Sequence, residues 1–170
     1  MEAYLDNSAT TQVCEAAKKK MLEAIDSEWG NPSSLHQKGL DAEQLISGAR
    51  ASVAKALGCS EKEIVFTSGG TEANNLAVFG AAYARRKKGS RLVVSSVEHP
   101  SVAKAFERLS EEGFEVIKLP VDRYGIVSAD DIEKAVDEKT ILVSMMAVNN
   151  ELGSVEPVEE LSKIVKRNLK

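Results

Sequence analysis

From residue 63 onward, short β-branched runs alternate with amphipathic stretches, and this alternation restricts the fold more than any other feature of the 170-residue chain. The runs lie at 63–67, 91–96, 114–119 and 140–147. Amphipathic patterns at 72–88, 101–112, 130–136 and 157–169 follow them, the last with Val158, Leu161, Ile164, Val165 and Leu169 at three- and four-residue spacing. Strands interleaved with helices in this way form βα units that feed a parallel sheet. The predicted fold class is therefore α/β, a mostly parallel sheet with flanking helices. The runs at 91–96 and 140–147 are almost continuously apolar, as suits strands covered on both faces. Two further helices are predicted ahead of the first strand, at 13–27 and 40–57. Leu45, Ile46, Ala49, Val53 and Leu57 stripe the second, and Gly58 is placed to cap its C-terminus.

No repeat, low-complexity tract or long linker interrupts residues 1–170, so a single domain with no internal boundary is expected. With 22 Lys and Arg against 26 Asp and Glu, the net charge is −4, which argues against a nucleic-acid partner or an anionic membrane surface. No stretch approaches the roughly 20 apolar residues of a membrane span, and the first residues lack a basic segment followed by an apolar run. A cytoplasmic protein with no membrane partner is expected. Cys14 and Cys59 are too few for a disulfide framework and too distant for a Cys-x-x-Cys motif. With only His36 and His99 beside them, no metal site is expected.

Three strand ends carry polar residues suited to chemistry. Thr67-Ser68-Gly69-Gly70-Thr71-Glu72-Ala73-Asn74-Asn75 lies between a strand and a helix. Its glycines allow close backbone approach, and the free N–H groups of a helix's first turn favour an anion. Hydroxyls on Ser68 and Thr71 are further donors. The segment is neither a dinucleotide fingerprint nor a P-loop, so it suits a monophosphate; it reads equally well as an ordinary turn capped by Thr71. Ser95-Ser96-Val97-Glu98-His99-Pro100-Ser101 places a histidine where a buried strand ends. His99 there is able to stack on an aromatic ligand, to exchange protons near neutral pH, or to serve as a structural hydrogen-bonder. Ala147-Val148-Asn149-Asn150-Glu151-Leu152-Gly153 brings two amides and a carboxylate. These residues fit either the orientation of a phenolic oxygen or carboxylate, or a plain turn. In an α/β sheet the carboxyl ends of strands line one crevice, so all three segments are expected to face it.

These segments, together with Tyr4-Leu5-Asp6-Asn7-Ser8-Ala9-Thr10-Thr11 and Gly30-Asn31-Pro32-Ser33-Ser34-Leu35-His36, stand in the order and spacing of cysteine desulfurases. The chain resembles these pyridoxal-phosphate (PLP) enzymes of the class V aminotransferase group along its whole length. The resemblance implies part of the large domain of a fold type I PLP enzyme, with the small C-terminal domain absent. Gly70 and Thr71 resemble the pair that binds the cofactor phosphate. His99 resembles the catalytic histidine that stacks on the pyridine ring and assists proton transfer, and Asn150 the asparagine beside the phenolic oxygen and the substrate. The implied substrate is L-cysteine, converted to alanine while an enzyme cysteine takes the sulfur as a persulfide, for delivery to iron–sulfur cluster assembly or thiolation.

The resemblance also implies residues that no position here matches: the aspartate paired with the pyridine nitrogen, the Schiff-base lysine and the nucleophilic cysteine. Cys14 and Cys59 do not match the nucleophile, nor do Lys163 and Lys166 match the lysine. The expectation is a chain inactive alone, completed by a complementary C-terminal half or by downstream sequence, and disposed to form homo-oligomers. A sulfur-acceptor protein is a further implied partner. A selenocysteine lyase or other class V relative and a non-catalytic, oligomerising module are the alternatives.

Overall fold

The computed structural model describes residues 3–27 and 29–168. Six α-helices and three strands occur among them: α1 (Glu15–Ser27), α2 (Gln37–Leu57), α3 (Gly70–Arg85), β1 (Arg91–Ser95), α4 (Pro100–Glu111), β2 (Glu115–Leu119), α5 (Ala129–Ala135), β3 (Thr140–Ser144) and α6 (Val158–Asn168). They group into two compact units, Met1–Phe66 and Thr67–Lys170.

The second unit carries the sheet. Its strand order is β2-β1-β3, and both pairings are parallel. Alternate side chains of β1 serve opposite faces, as the two-residue period of a strand requires. Leu92 and Val94 join Val78 and Ala82 of α3 and Val102, Phe106 and Leu109 of α4 in one apolar cluster. Val93 points the other way, into a cluster with Ile132 of α5 and Leu161 and Ile164 of α6. The expected α/β class, with a central strand buried on both faces, is what the chain adopts. The chain leaves β1 for β2 on one side, then returns to lay β3 on the other, and this reversal opens a crevice at the carboxyl end of β1.

The first unit is helical. A single 3-10 turn (Glu61–Glu63) follows α2, closed by a capping box between Ser60 and Glu63. Gly58 does cap α2, in the left-handed conformation at φ 67°, its N–H reaching the carbonyls of Ala54 and Lys55. The stripe of Leu45, Ile46, Ala49, Val53 and Leu57 is nevertheless exposed.

Three expectations need correction. Residues 64–67 form no strand: Ile64 is extended, but no strand among the described residues offers it a ladder, and the 3-10 turn occupies residue 63. The strand expected at 140–147 ends at Ser144, because its pairing with β1 ends at the Val94–Ser144 pair and residues beyond bond instead within a small hairpin. Thr71 does not cap α3. Gly69 is the N-cap, without a side-chain bond, and the helix begins at Gly70. The last residue of the apolar pattern in 157–169, Leu169, lies outside the described residues.

Candidate active site

The crevice is built from three helix or strand ends of the second unit. At the first, Gly69 and Gly70 open α3, and a Cβ added to either would meet no protein atom within 4 Å. Open space therefore stands in front of the helix's positive end, where first-turn N–H groups have no intrahelical acceptor. Thr71 is exposed beside them. Ser68 is not available as a further donor: both its N–H and its hydroxyl donate to Glu72 Oε2 at 2.6 Å. Those bonds hold the Glu72 carboxyl below its ordinary pKa, the Ser68 hydroxyl contributing most. The donors that remain suit one compact anion, so the residues present fit a monophosphate.

At the second end, His99 is the N-cap of α4, with Pro100 in the first helical position. Its Nδ1 accepts from the Ser101 backbone N–H at 3.1 Å and lies 2.7 Å from the Ser101 hydroxyl. Capping by Nδ1 leaves Nε2 as the ring's outward nitrogen, since none of the described residues bonds it. The structural reading of His99 is met by Nδ1, and the chemical reading falls to the other ring nitrogen. Ser101 is tied in turn to α3, accepting from Asn74 Nδ2 at 2.9 Å through its hydroxyl and from Asn75 Nδ2 at 3.3 Å through its carbonyl. The start of α4 is thereby fixed against the start of α3.

At the third end, residues 148–155 form a small hairpin with a Val148–Val155 bridge. Asn149 organises it. Its amide oxygen accepts from the N–H groups of Glu151 and Leu152, both at 2.9 Å, and its Nδ2 donates to the Val97 carbonyl at 3.1 Å. Asn149 is 6% exposed, whereas Asn150 is free and exposed. Two adjacent amides thus divide the work, one holding the turn and the other facing outward. Gly125, at φ 77°, allows Leu152 to pack close: an added Cβ would stand 2.5 Å from Leu152 Cδ1.

Thr71, Phe79, His99 and Lys104 line one cleft of about 450 Å³. His99 and Asn150, with Glu98 and Leu152, line another of about 510 Å³. His99 belongs to both, so three of the expected site residues meet around one imidazole, and Gly70 adjoins Thr71 at the helix start. Residues 4–11 and 30–36 belong to the first unit, where His36 caps α2 by accepting from Gly39 N–H. The 30–36 loop is tightly wound, because a Cβ on Gly30 or Gly39 would meet backbone oxygen at 2.1 Å.

Glu98 carries no role in the sequence reading, yet it lines the second cleft beside His99. Ser144 donates its hydroxyl to Glu98 Oε1 at 3.0 Å. Burial raises the Glu98 carboxyl above its ordinary pKa, the Ser144 hydroxyl and the backbone N–H groups of His99 and Met146 pull it back, and the charge of Glu156 adds to the rise. The adjacent Glu98-His99 pair was the only available signal, since Ser144 lies 46 residues away in sequence.

A parallel sheet with an open helix start, an outward imidazole nitrogen and an exposed amide at one topological switch point marks a candidate ligand-binding crevice of an α/β fold. The aminotransferase class-V profile matches residues 3–170, and the chain belongs to that family, whose members are PLP-dependent. It is 48% identical over 162 residues to a NifS/IcsS protein homolog of Lactobacillus delbrueckii, and 46% identical over 165 residues to the cysteine desulfurase IscS of Dictyoglomus turgidum. These alignments take in 95% and 97% of the chain but 42% of each relative, in its N-terminal part. Among solved structures, a NifS-like protein superposes with TM-score 0.94 at 40% identity, over 99% of this chain and 46% of that one. A second, SspA in complex with cysteine, gives 0.88 at 35% identity, over 96% of this chain and 47% of that one. The chain thus spans less than half the length of these relatives.

Proposed function

We propose that the chain supplies the phosphate cup, the ring-stacking histidine and part of the substrate pocket of a PLP-dependent cysteine desulfurase. When bound, PLP supplies an electron sink for bonds breaking at the substrate's α- and β-carbons. The start of α3 at Gly70 and Thr71 receives the phosphate through backbone N–H groups and the Thr71 hydroxyl. His99 would stack on the cofactor ring and hold a proton at Nε2, the nitrogen its capping role leaves free. Asn150 orients the phenolic oxygen and the substrate. The observation that carries this reading is the position of His99 on both clefts, between Thr71 and Asn150.

The proposed substrate is L-cysteine, in keeping with a structural relative seen in complex with cysteine. The proposed setting is a cytoplasmic homo-oligomer serving iron–sulfur assembly or another sulfur acceptor, with residues 1–170 forming part of one domain. Turnover also needs the Schiff-base lysine and nucleophilic cysteine that the resemblance assigns elsewhere, so the chain alone is proposed to be inactive. Mixed with a polypeptide carrying those residues, with PLP and with a dithiol reductant to cleave the persulfide, it is expected to release alanine and sulfide from cysteine. The reading fails if the reconstituted material takes up PLP but leaves cysteine unchanged.

A further inference from the structure

Two bonds cross the crevice from the end of β3 to the turn between β1 and α4. One runs from Asn149 Nδ2 to the Val97 carbonyl, the other from the Ser144 hydroxyl to Glu98 Oε1. They join residues 52 and 46 positions apart, and each falls next to a residue of the candidate site: Asn149 beside Asn150, Glu98 beside His99. The two bonds differ in what they demand. The amide bond is neutral and belongs to a buried group whose polar atoms are all used. The carboxylate is half-buried, beside the buried Glu156, at a place that disfavours its charge. Fold stability alone would be served as well or better by a neutral side chain there.

We infer that Glu98 is a positioning residue whose carboxylate, by holding the Ser144 hydroxyl, fastens the β1–α4 turn to the end of β3 and so sets where His99 stands relative to Asn150. The inference rests on the PLP reading only for what His99 is positioned to do. A carboxylate suits the task because an ionised acceptor makes a stronger bond to the Ser144 hydroxyl than a neutral one does. A glutamine in its place offers the Ser144 hydroxyl only a neutral, weaker acceptor.

Histidine NMR on the whole chain tests this directly, because His36 and His99 are the only two histidines. A His36→Asn background, which retains an N-cap side chain, leaves the His99 ring signal alone. In that background Glu98→Gln is expected to shift and broaden the His99 signal and to weaken PLP binding, followed by fluorescence quenching, about tenfold, as for the loss of a hydrogen bond to a charged group. Its melting temperature at pH 7 is expected to be unchanged or higher. Ser144→Ala is expected to disturb the His99 signal in the same sense and Ser144→Thr, which keeps the hydroxyl, to restore it. An unmoved His99 signal in both Glu98→Gln and Ser144→Ala overturns the inference. So does a melting temperature that falls in step with PLP affinity, which would make Glu98 a prop for the fold. If Glu98→Gln does not fold, the serine pair decides alone. If the unsubstituted chain takes up no PLP, the cofactor reading fails while the NMR arm still decides the positioning.

Discussion

The two units of this chain use apolar residues in opposite ways. In Thr67–Lys170, the sheet and four helices sink Leu92, Val93, Val94, Phe106 and Leu109 almost completely. In Met1–Phe66, α1 buries no residue at all, and Ile25 and Leu57 are 67% and 70% exposed. The candidate site belongs to the first kind of structure. Three polar chain ends are held around His99 by a packed core below them, which is how a rigid scaffold presents a binding crevice. The helical unit instead owes its local order to caps and close backbone turns, as at His36, Gly39 and Gly58.

Core truncation offers the sharpest way to break this contrast. Phe106→Ala, at a fully buried position touching both α3 and β1 residues, is expected to destabilise the second unit by about 3–5 kcal/mol in urea unfolding. Ile25→Ala in α1 is expected to change stability by less than about 0.5 kcal/mol. Comparable losses from the two would erase the distinction. Next in size is Asn149→Ala, which strips partners from the Val97 carbonyl and two hairpin N–H groups and is expected to cost about 1–3 kcal/mol. Its signature is faster hydrogen exchange at Glu151 and Leu152. Asn150→Ala, at an exposed position, is expected to leave unfolding unchanged.

Within the helical unit, Gly58→Ala places a Cβ in the left-handed region and is expected to cost about 1 kcal/mol, read as lost helicity by circular dichroism. The smallest effect concerns pH. The Glu98 carboxyl is raised in the folded chain, chiefly by burial, with Glu156 facing it and His99 the titratable neighbour on its own turn. Its contribution to stability is therefore complete below the ordinary glutamate range and is lost as pH rises through the raised value. Melting temperatures across that window are expected to fall more in the native chain than in Glu98→Gln.

Much of this was legible in the sequence, and the boundary of legibility has a physical shape. The alternation of runs gave the parallel sheet because burial on both faces of β1 forces the continuous Leu92-Val93-Val94 pattern. Gly58 was readable as a cap because only its own conformation was at stake. Residues 64–67 misled, since a β-branched run records propensity while a strand requires a partner. Gly70, Thr71, His99 and Asn150 are proposed from local motifs and the family resemblance that those motifs carry. Glu98 and Ser144 carry no role in the sequence reading, and the bond from Asn149 to Val97 escapes it, because these bonds join distant segments whose pairing only the strand order reveals. The end of β3 at Ser144 escaped for the same reason: the apolar run continues to Ala147, but the ladder does not.

The central claim is that the start of α3, His99 and Asn150 form one receptive site for PLP, and a titration of the chain with PLP tests it most directly. The expected result is saturable binding of one PLP per chain, competed by inorganic phosphate and weakened separately by Thr71→Val, His99→Ala and Asn150→Ala, with unfolding unchanged for Asn150→Ala. Binding that does not saturate, or that ignores both phosphate and all three substitutions, would contradict it.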